Sequence, residues 1–152
     1  MAVHRLIYKQ QINADLPAVW SFFSHAANLQ VITPDHLRFR VTSGDLPAEI
    51  YPGLIITYTI SPILRIPLFW MTEIKHVAPQ KMFVDEQRRG PYRMWHHQHH
   101  FEANNDGVLM TDIVHYELPL WFLGELARPL FVNKQLTGIF EYRRQKIASL
   151  FP

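Results

Sequence analysis

Four histidines fall within five residues, His96, His97, His99 and His100, between Trp95 and Phe101. They close the run FVDEQRRGPYRMWHHQHHF, residues 83–101, which also carries Asp85, Gln87 and Arg93. Imidazoles titrate near neutral pH, so such a group can move protons, ligate a metal or bond to carboxylates. Strand parity decides which of them act together. In a strand, alternate residues point to opposite faces. His97 and His99 therefore share a face with Trp95 and Phe101, and His96 and His100 take the other. Large aromatic side chains are costly to leave in water. The Trp95 face must look inward, which makes that part of the interior partly polar, as a ligand cavity requires.

Pairing with the next strand extends the pattern. Asn104-Asn105-Asp106-Gly107 is a strong hairpin signal. An even loop there sets Phe101 opposite Met110, His99 opposite Asp112, His97 opposite Val114 and Trp95 opposite Tyr116. Val114, Tyr116 and Leu118 form an apolar stripe on the inward face. Directly opposed residues have Cβ atoms about 4.5–5.5 Å apart, so a His99–Asp112 hydrogen bond is expected. The Gly90-Pro91 turn leaves two registers open. A two-residue loop pairs Gln87 with Tyr92. A three-residue loop pairs Gln87 with Arg93 and Asp85 with Trp95. A slip of one residue turns every side chain over. The odd loop, or a bulge, is favoured because it puts Phe83 on the face of Trp95 and Phe101. Asp85 and Gln87 then come inward, and Asp85 meets Arg93 or His97.

The elements that must position these groups are legible in the pattern. Val3 to Ile12 alternates as a first strand. Asp15 is a candidate N-cap and Pro17 suits the first turn of a short helix carrying Val19, Trp20, Phe22 and Phe23. A second helical turn is expected at 26–31. Strands follow at 37–42, 54–60, 68–76, 82–88, 92–103 and 108–118. In the third and fourth of the seven strands, Ile56, Tyr58 and Ile60, and then Trp70, Thr72 and Ile74, share faces. From Trp121 to Leu150 the spacing changes. Leu123, Leu126, Ala127, Leu130, Phe131, Ile139, Phe140 and Ile147 recur every three or four residues, which predicts a long amphipathic helix. Pro129 should kink it or split off its first turns. Consecutive strands with short turns imply an antiparallel sheet, and a single long helix must cover its apolar face. The expected fold is α+β: a curved seven-stranded antiparallel sheet wrapped around a long C-terminal helix, with two short helices after the first strand.

Composition bounds the function. The chain has 152 residues, enough for one domain over residues 1–152 with a substantial core. Ten Phe, four Trp and six Tyr argue against disorder. The net charge is +2 and the basic residues are scattered, with Arg88-Arg89 and Arg143-Arg144 the only doublets. That is a poor nucleic-acid footprint. Without cysteine, disulfides and thiol chemistry are excluded. No run approaches the ~18 apolar residues of a membrane span, and the first residues do not read as a signal peptide. A cytoplasmic protein is the expectation.

The order of elements resembles the START-like, helix-grip superfamily (SRPBCC), to which the birch-allergen-like (Bet v 1-like) plant proteins and polyketide cyclases belong. The segments ITPDHLRFRV, FVDEQRRGPYRMWHHQHHF and LMTDIVHYELPL resemble a bacterial subgroup. Its members stand alone or are fused to an epimerase-like domain once called a cell-division inhibitor. The resemblance spans nearly the whole chain. It implies the fold and a ligand cavity between sheet and helix, without metal or cofactor, and it settles no reaction.

On this reading Asp85, Gln87, Arg93, His97, His99 and Asp112 line a cavity walled by Trp70, Trp95, Tyr116 and Phe131. Apolar walls give affinity and a few polar groups give orientation, which suits a small amphipathic or aromatic ligand. The competing reading is a cramped core in which the same residues satisfy one another, since buried charges must be paired. An enzyme is a third possibility. His99, poised by Asp112, would be a general base acting on a bound carbonyl compound, as in cyclases, hydratases or hydrolases. A protein-interaction module is a fourth. His97 and His99 with Asp112 have the makings of a three-ligand metal site, but plain polar residues are the commoner use, and no metal or cofactor is expected. Arg88 and Arg89 read as a solvated turn. Asp35, His36 and Arg38 stand near the expected cavity mouth. Trp121-Phe122-Leu123 reads as a lid rather than a membrane anchor.

Overall fold

The computed structural model describes residues 2–62, 64–119 and 131–152. Strand β1 (His4–Ile12) leads to helix α1 (Leu16–Phe23) and two 3-10 turns, Ala26–Gln30 and Asp35–Leu37. Then come β2 (Arg40–Val41), β3 (Ile55–Ile60), β4 (Leu68–Ala78), β5 (Met82–Arg89), β6 (Met94–Asn104) and β7 (Gly107–Glu117). Helix α2 (Asn133–Leu150) ends the described chain. The strands form one seven-stranded sheet in the order β1-β7-β6-β5-β4-β3-β2, every neighbouring pair antiparallel. Register shifts between Met71 and Thr72 and between Ile74 and His76 interrupt the β4–β5 ladder. Such irregularities bend and twist a sheet.

The β6–β7 hairpin falls where the sequence places it. Asn104 pairs with Gly107 across a two-residue loop, and this brings Trp95 opposite Tyr116 and His99 opposite Asp112. The Asn104 carboxamide accepts from the Asp106 N–H at 3.0 Å and closes the turn. Gly107 has φ +116°, a conformation that disfavours any side chain. A Cβ there would lie 2.2 Å from the Ile12 carbonyl oxygen at the end of β1. The turn is thus fixed both by backbone geometry and by the strand packed against it.

The β5–β6 register has the expected parity but is displaced by two residues. Phe83 faces His99 and Asp85 faces His97 rather than Trp95. The ladder stops at Glu86 and His96, so the connection is wider than a three-residue loop. Gln87 accounts for the width. Its side-chain amide donates to the Tyr92 carbonyl at 2.6 Å and accepts from the Tyr92 N–H at 3.2 Å, replacing a backbone pair. Gly90 leaves room for this clamp, since a Cβ there would lie 2.5 Å from Gln87 Oε1.

The expected strand at 37–42 shrinks to Arg40–Val41. Leu37 completes a 3-10 turn begun at Pro34, and Arg38 takes a left-handed conformation with φ 48°. Beyond the strand, the Thr42 and Ser43 N–H groups both donate to the Thr57 carbonyl, which ends regular pairing. At the other end of the chain, the residues expected to begin the long helix (Trp121, Leu123, Leu126, Ala127, Leu130), the kink at Pro129 and the lid cluster lie outside the described residues.

Each helix is tied to the sheet. Asp15 caps α1 by accepting from the Ala18 N–H at 2.8 Å. Trp20 then sets its ring edge-on to Phe83 and Phe101. Helix α2 buries Leu136, Phe140, Arg143 and Ile147, a stripe at helical spacing. Phe140 stacks on Tyr8 with ring centroids 4.0 Å apart, and the Tyr116 hydroxyl donates to Asn133 Oδ1 at 3.2 Å.

Replacing Gly107 with alanine should cost at least about 2 kcal/mol, because strain and a backbone clash combine. Urea denaturation measures it. A loss below about 0.5 kcal/mol, the range of ordinary surface changes, would contradict this account of the turn.

Candidate functional site

A cavity of about 520 Å³ lies between the concave sheet face and α2. Its size falls within the range of small-molecule sites. The walls are mostly apolar. Ile56, Trp70, Ile74 and Trp95 come from the sheet, and Ile139 and Phe140 from α2. Aromatic rings pack against one another along the wall. Trp70 meets Trp95 edge-on at 5.6 Å, and Tyr92 lies 4.8 Å from Trp95. Edge-to-face and tilted ring pairs of this kind are favourable arrangements beyond the area they bury.

Part of the cavity wall is polar. His97 and His99 project from β6, Asp85 from β5 and Asp112 from β7. The carboxylates can only accept, so the imidazole N–H groups donate. His97 Nε2 donates to Asp112 Oδ1 at 2.8 Å, and His99 Nε2 donates to Asp85 Oδ2 at 2.8 Å. His99 Nδ1 lies 2.9 Å from Asp112 Oδ1, but out of line, and has no hydrogen-bond partner. The cross-strand opposition of His99 and Asp112 therefore holds, while the aligned hydrogen bond of Asp112 goes to His97. Phe83 stacks on His99 at 4.1 Å and fixes the ring. The two imidazoles lie 3.8 Å apart, centroid to centroid.

This packing drives the two rings apart chemically. Burial disfavours the imidazolium form of both. For His97 it prevails, reinforced by the charge of His99, and the pKa falls below the ordinary histidine value. For His99, burial is outweighed by the Asp112 and Asp85 carboxylates, and the pKa rises. The same contacts hold both carboxyls below the usual carboxylate range. Burial opposes ionisation, but His97 and His99 overcome it at Asp112, and His99 followed by His97 at Asp85. Two adjacent imidazoles whose pKa values are pushed in opposite directions suit proton transfer to and from a bound molecule.

The same groups can hold a metal. The ligand atoms of Asp85, His97 and His99 all lie within 4.8 Å of one another. Asp85 takes the place that the sequence pattern gave to Asp112. Asp112 instead stands behind His97, the position of a carboxylate that orients a ligating histidine.

The residues expected at the site divide by position. Trp70, Asp85, Trp95, His97, His99 and Phe131 line the cavity, with Phe131 still 42% exposed. Asp112 and Tyr116 stand behind the wall, one bonded to His97 and the other to Asn133. Gln87 and Arg93 do not reach it. Gln87 is committed to Tyr92, and Arg93 is a largely exposed side chain 3.6 Å from Glu117. The wide β5–β6 connection carries both away. His96 and His100 lie on the outer face, where His96 Nδ1 is 2.8 Å from Glu86 Oε1.

Several cavity groups escaped the sequence reading, Tyr58 and Arg143 among them. Tyr58 bonds to the Thr72 hydroxyl at 3.0 Å. Its phenol is pushed far above the ordinary tyrosine value, mainly by burial. Arg143 is 8% exposed and lines the cavity from α2. The signal was present: Arg143 interrupts the stripe formed by Leu136, Phe140 and Ile147.

No family model and no curated protein sequence matches this chain. Solved structures do. The Chromobacterium violaceum protein CV1439 superposes with TM-score 0.73 at 9% identity, over 97% of this chain and 96% of its own. The ginseng major latex-like protein 151 from Panax ginseng gives 0.68 at 12% identity, over 99% and 98%. The Mycobacterium smegmatis protein Ms6760 gives 0.66 at 16%, over 99% and 96%. At these identities the likeness establishes the fold, which is the helix-grip, Bet v 1-like fold, with the sheet not closed.

The protonation states lead to a pH prediction. Stability conferred by Asp85 and Asp112, whose pKa values are lowered on folding, is present at neutral pH and lost as pH falls below about 4. His99, raised on folding, stabilises below about pH 6.5, and that contribution fades as pH climbs through its raised value. His97 acts oppositely, its contribution being lost as pH falls from about 6.5. Histidine-ring NMR titration should find His99 protonating above and His97 below an ordinary histidine. Asp112→Asn should bring His99 down and cost about 3–5 kcal/mol. Two ordinary titrations near pH 6.5 would contradict the assignment.

Proposed function

We propose that the protein binds a small amphipathic or aromatic molecule in the cavity between sheet and α2. The observation that carries this reading is the cavity itself: about 520 Å³, mostly apolar, with an ordered Asp–His cluster in its wall. The apolar walls supply affinity, and the cluster supplies orientation. The alternative of a satisfied core accounts for the Asp–His bonds but leaves that volume without an occupant. The neighbours' helix-grip fold is compatible with a ligand site. The resemblance of residues 83–101 to the bacterial SRPBCC subgroup supports the same reading.

A second reading has an observation of its own. His97 and His99 stand side by side on the cavity wall, one inclined to be neutral and the other protonated. A bound carbonyl compound near them would meet both a base and an acid, so the site suits proton transfer as in a cyclase or hydratase. A His99→Gln variant that keeps affinity but loses turnover would favour catalysis over binding alone.

The binding reading is tested with prodan, a neutral, environment-sensitive naphthalene fluorophore. Its emission should shift to the blue on titration with the protein. Ile139→Trp, which fills the cavity from α2, should weaken binding at least tenfold while a cooperative melt is kept. No blue shift with wild-type protein, or equal affinity in the filled variant, would overturn the proposal.

A further inference from the structure

Arg143 is a cation placed where an apolar residue belongs. Its neighbours along the buried stripe of α2 are Leu136, Phe140 and Ile147, and it lines the cavity with them. Its Nε is buried without a hydrogen-bond partner. Among the described residues no carboxylate approaches its guanidinium within ion-pair distance. Its guanidinium lies over the Phe140 ring, with Cζ 5.1 Å from the centroid. Arg144, the next residue, makes the contrast plain: it is exposed and bonds twice to Glu141. A buried cation with an unmet donor is expensive unless something answers it.

Resting on the cavity reading above, we infer that the ligand is a monocarboxylic acid whose carboxylate is received by the Arg143 guanidinium while its apolar body fills the aromatic part of the cavity. The planar fork of N–H donors matches a carboxylate in two parallel hydrogen bonds. A doubly charged phosphate fits less well, because Asp85 feels the charge of Arg143 and stands across the same cavity. The Asp85 carboxylate repels a dianion more than it repels a monoanion. The wall offers Tyr58 and the Asp–His cluster as further polar groups, but neither supplies a full positive charge held in a fixed fork. Arg143 is thus a binding residue for the acid head, and the histidine cluster stays free to act on another part of the molecule.

The test compares 2-naphthoate with 2-naphthamide, which share shape and differ in charge. Isothermal titration calorimetry at neutral pH should find the acid at least tenfold tighter in the wild-type protein. Arg143→Met keeps an unbranched apolar stem and removes every donor. It should fold, since no partner is orphaned, and should erase the preference by weakening the acid and sparing the amide. Arg143→Lys, which keeps charge without the fork, should retain part of it. The wild-type comparison stands even if a variant fails to fold. If the amide binds the wild type as tightly as the acid, the inference falls and the cavity reading survives. If neither naphthalene nor prodan binds, both fall together.

Discussion

Two aspartates are set into a wall of aromatic rings, and this constraint organises the middle of the sheet. Asp85 and Asp112 come from strands on either side of β6; Asp112 is buried and Asp85 mostly so, and each must find a donor there. His97 and His99 are those donors. They succeed only because three strands hold one register, with Asp85 facing His97 and Asp112 facing His99. A slip of a single residue in either ladder would send the imidazoles to the outer face and leave the carboxylates buried and alone. The Gly107 turn and the Gln87 clamp are the local devices that keep both ladders in place.

The cavity follows from what surrounds that cluster. Irregular β4–β5 pairing helps the sheet to bend, and α2 closes over the hollow with Phe140 on Tyr8 and Asn133 held by Tyr116. The helix also presents Arg143 to the hollow. The interior therefore has apolar walls, an acid–base cluster on the sheet and a cation on the helix. Apolar walls alone would accept many molecules. The fixed charges restrict the choice to one with matching polar ends, which is how specificity arises in a pocket of this kind.

Much of this was legible in the sequence, for identifiable reasons. Strand parity separated His97 and His99 from His96 and His100, because Trp95 and Phe101 can only face inward. The Asn-Asn-Asp-Gly turn fixed the β6–β7 pairing, because its geometry admits few alternatives. The β5–β6 ladder was harder. Gly90-Pro91 announces a turn, but its width depends on Gln87 bonding to Tyr92, a side-chain contact that no pattern of polarity encodes. For the same reason Gln87 and Arg93 were expected in the cavity and stand outside it. The partner choice among Asp85, Asp112 and the two histidines was also out of reach, since it turns on ring rotation. Arg143 was within reach, as a charge at a position that helical spacing makes internal.

The central claim is that the space between sheet and α2 is a ligand site with the Asp–His cluster in its wall. Amide NMR mapping during a prodan titration tests it most directly. The account predicts saturable shifts concentrated at Trp70, Asp85, Trp95, His97, His99 and Ile139, with the outer-face residues His96, His100 and Arg93 little changed. Shifts confined to that outer face, or scattered without saturation, would contradict it.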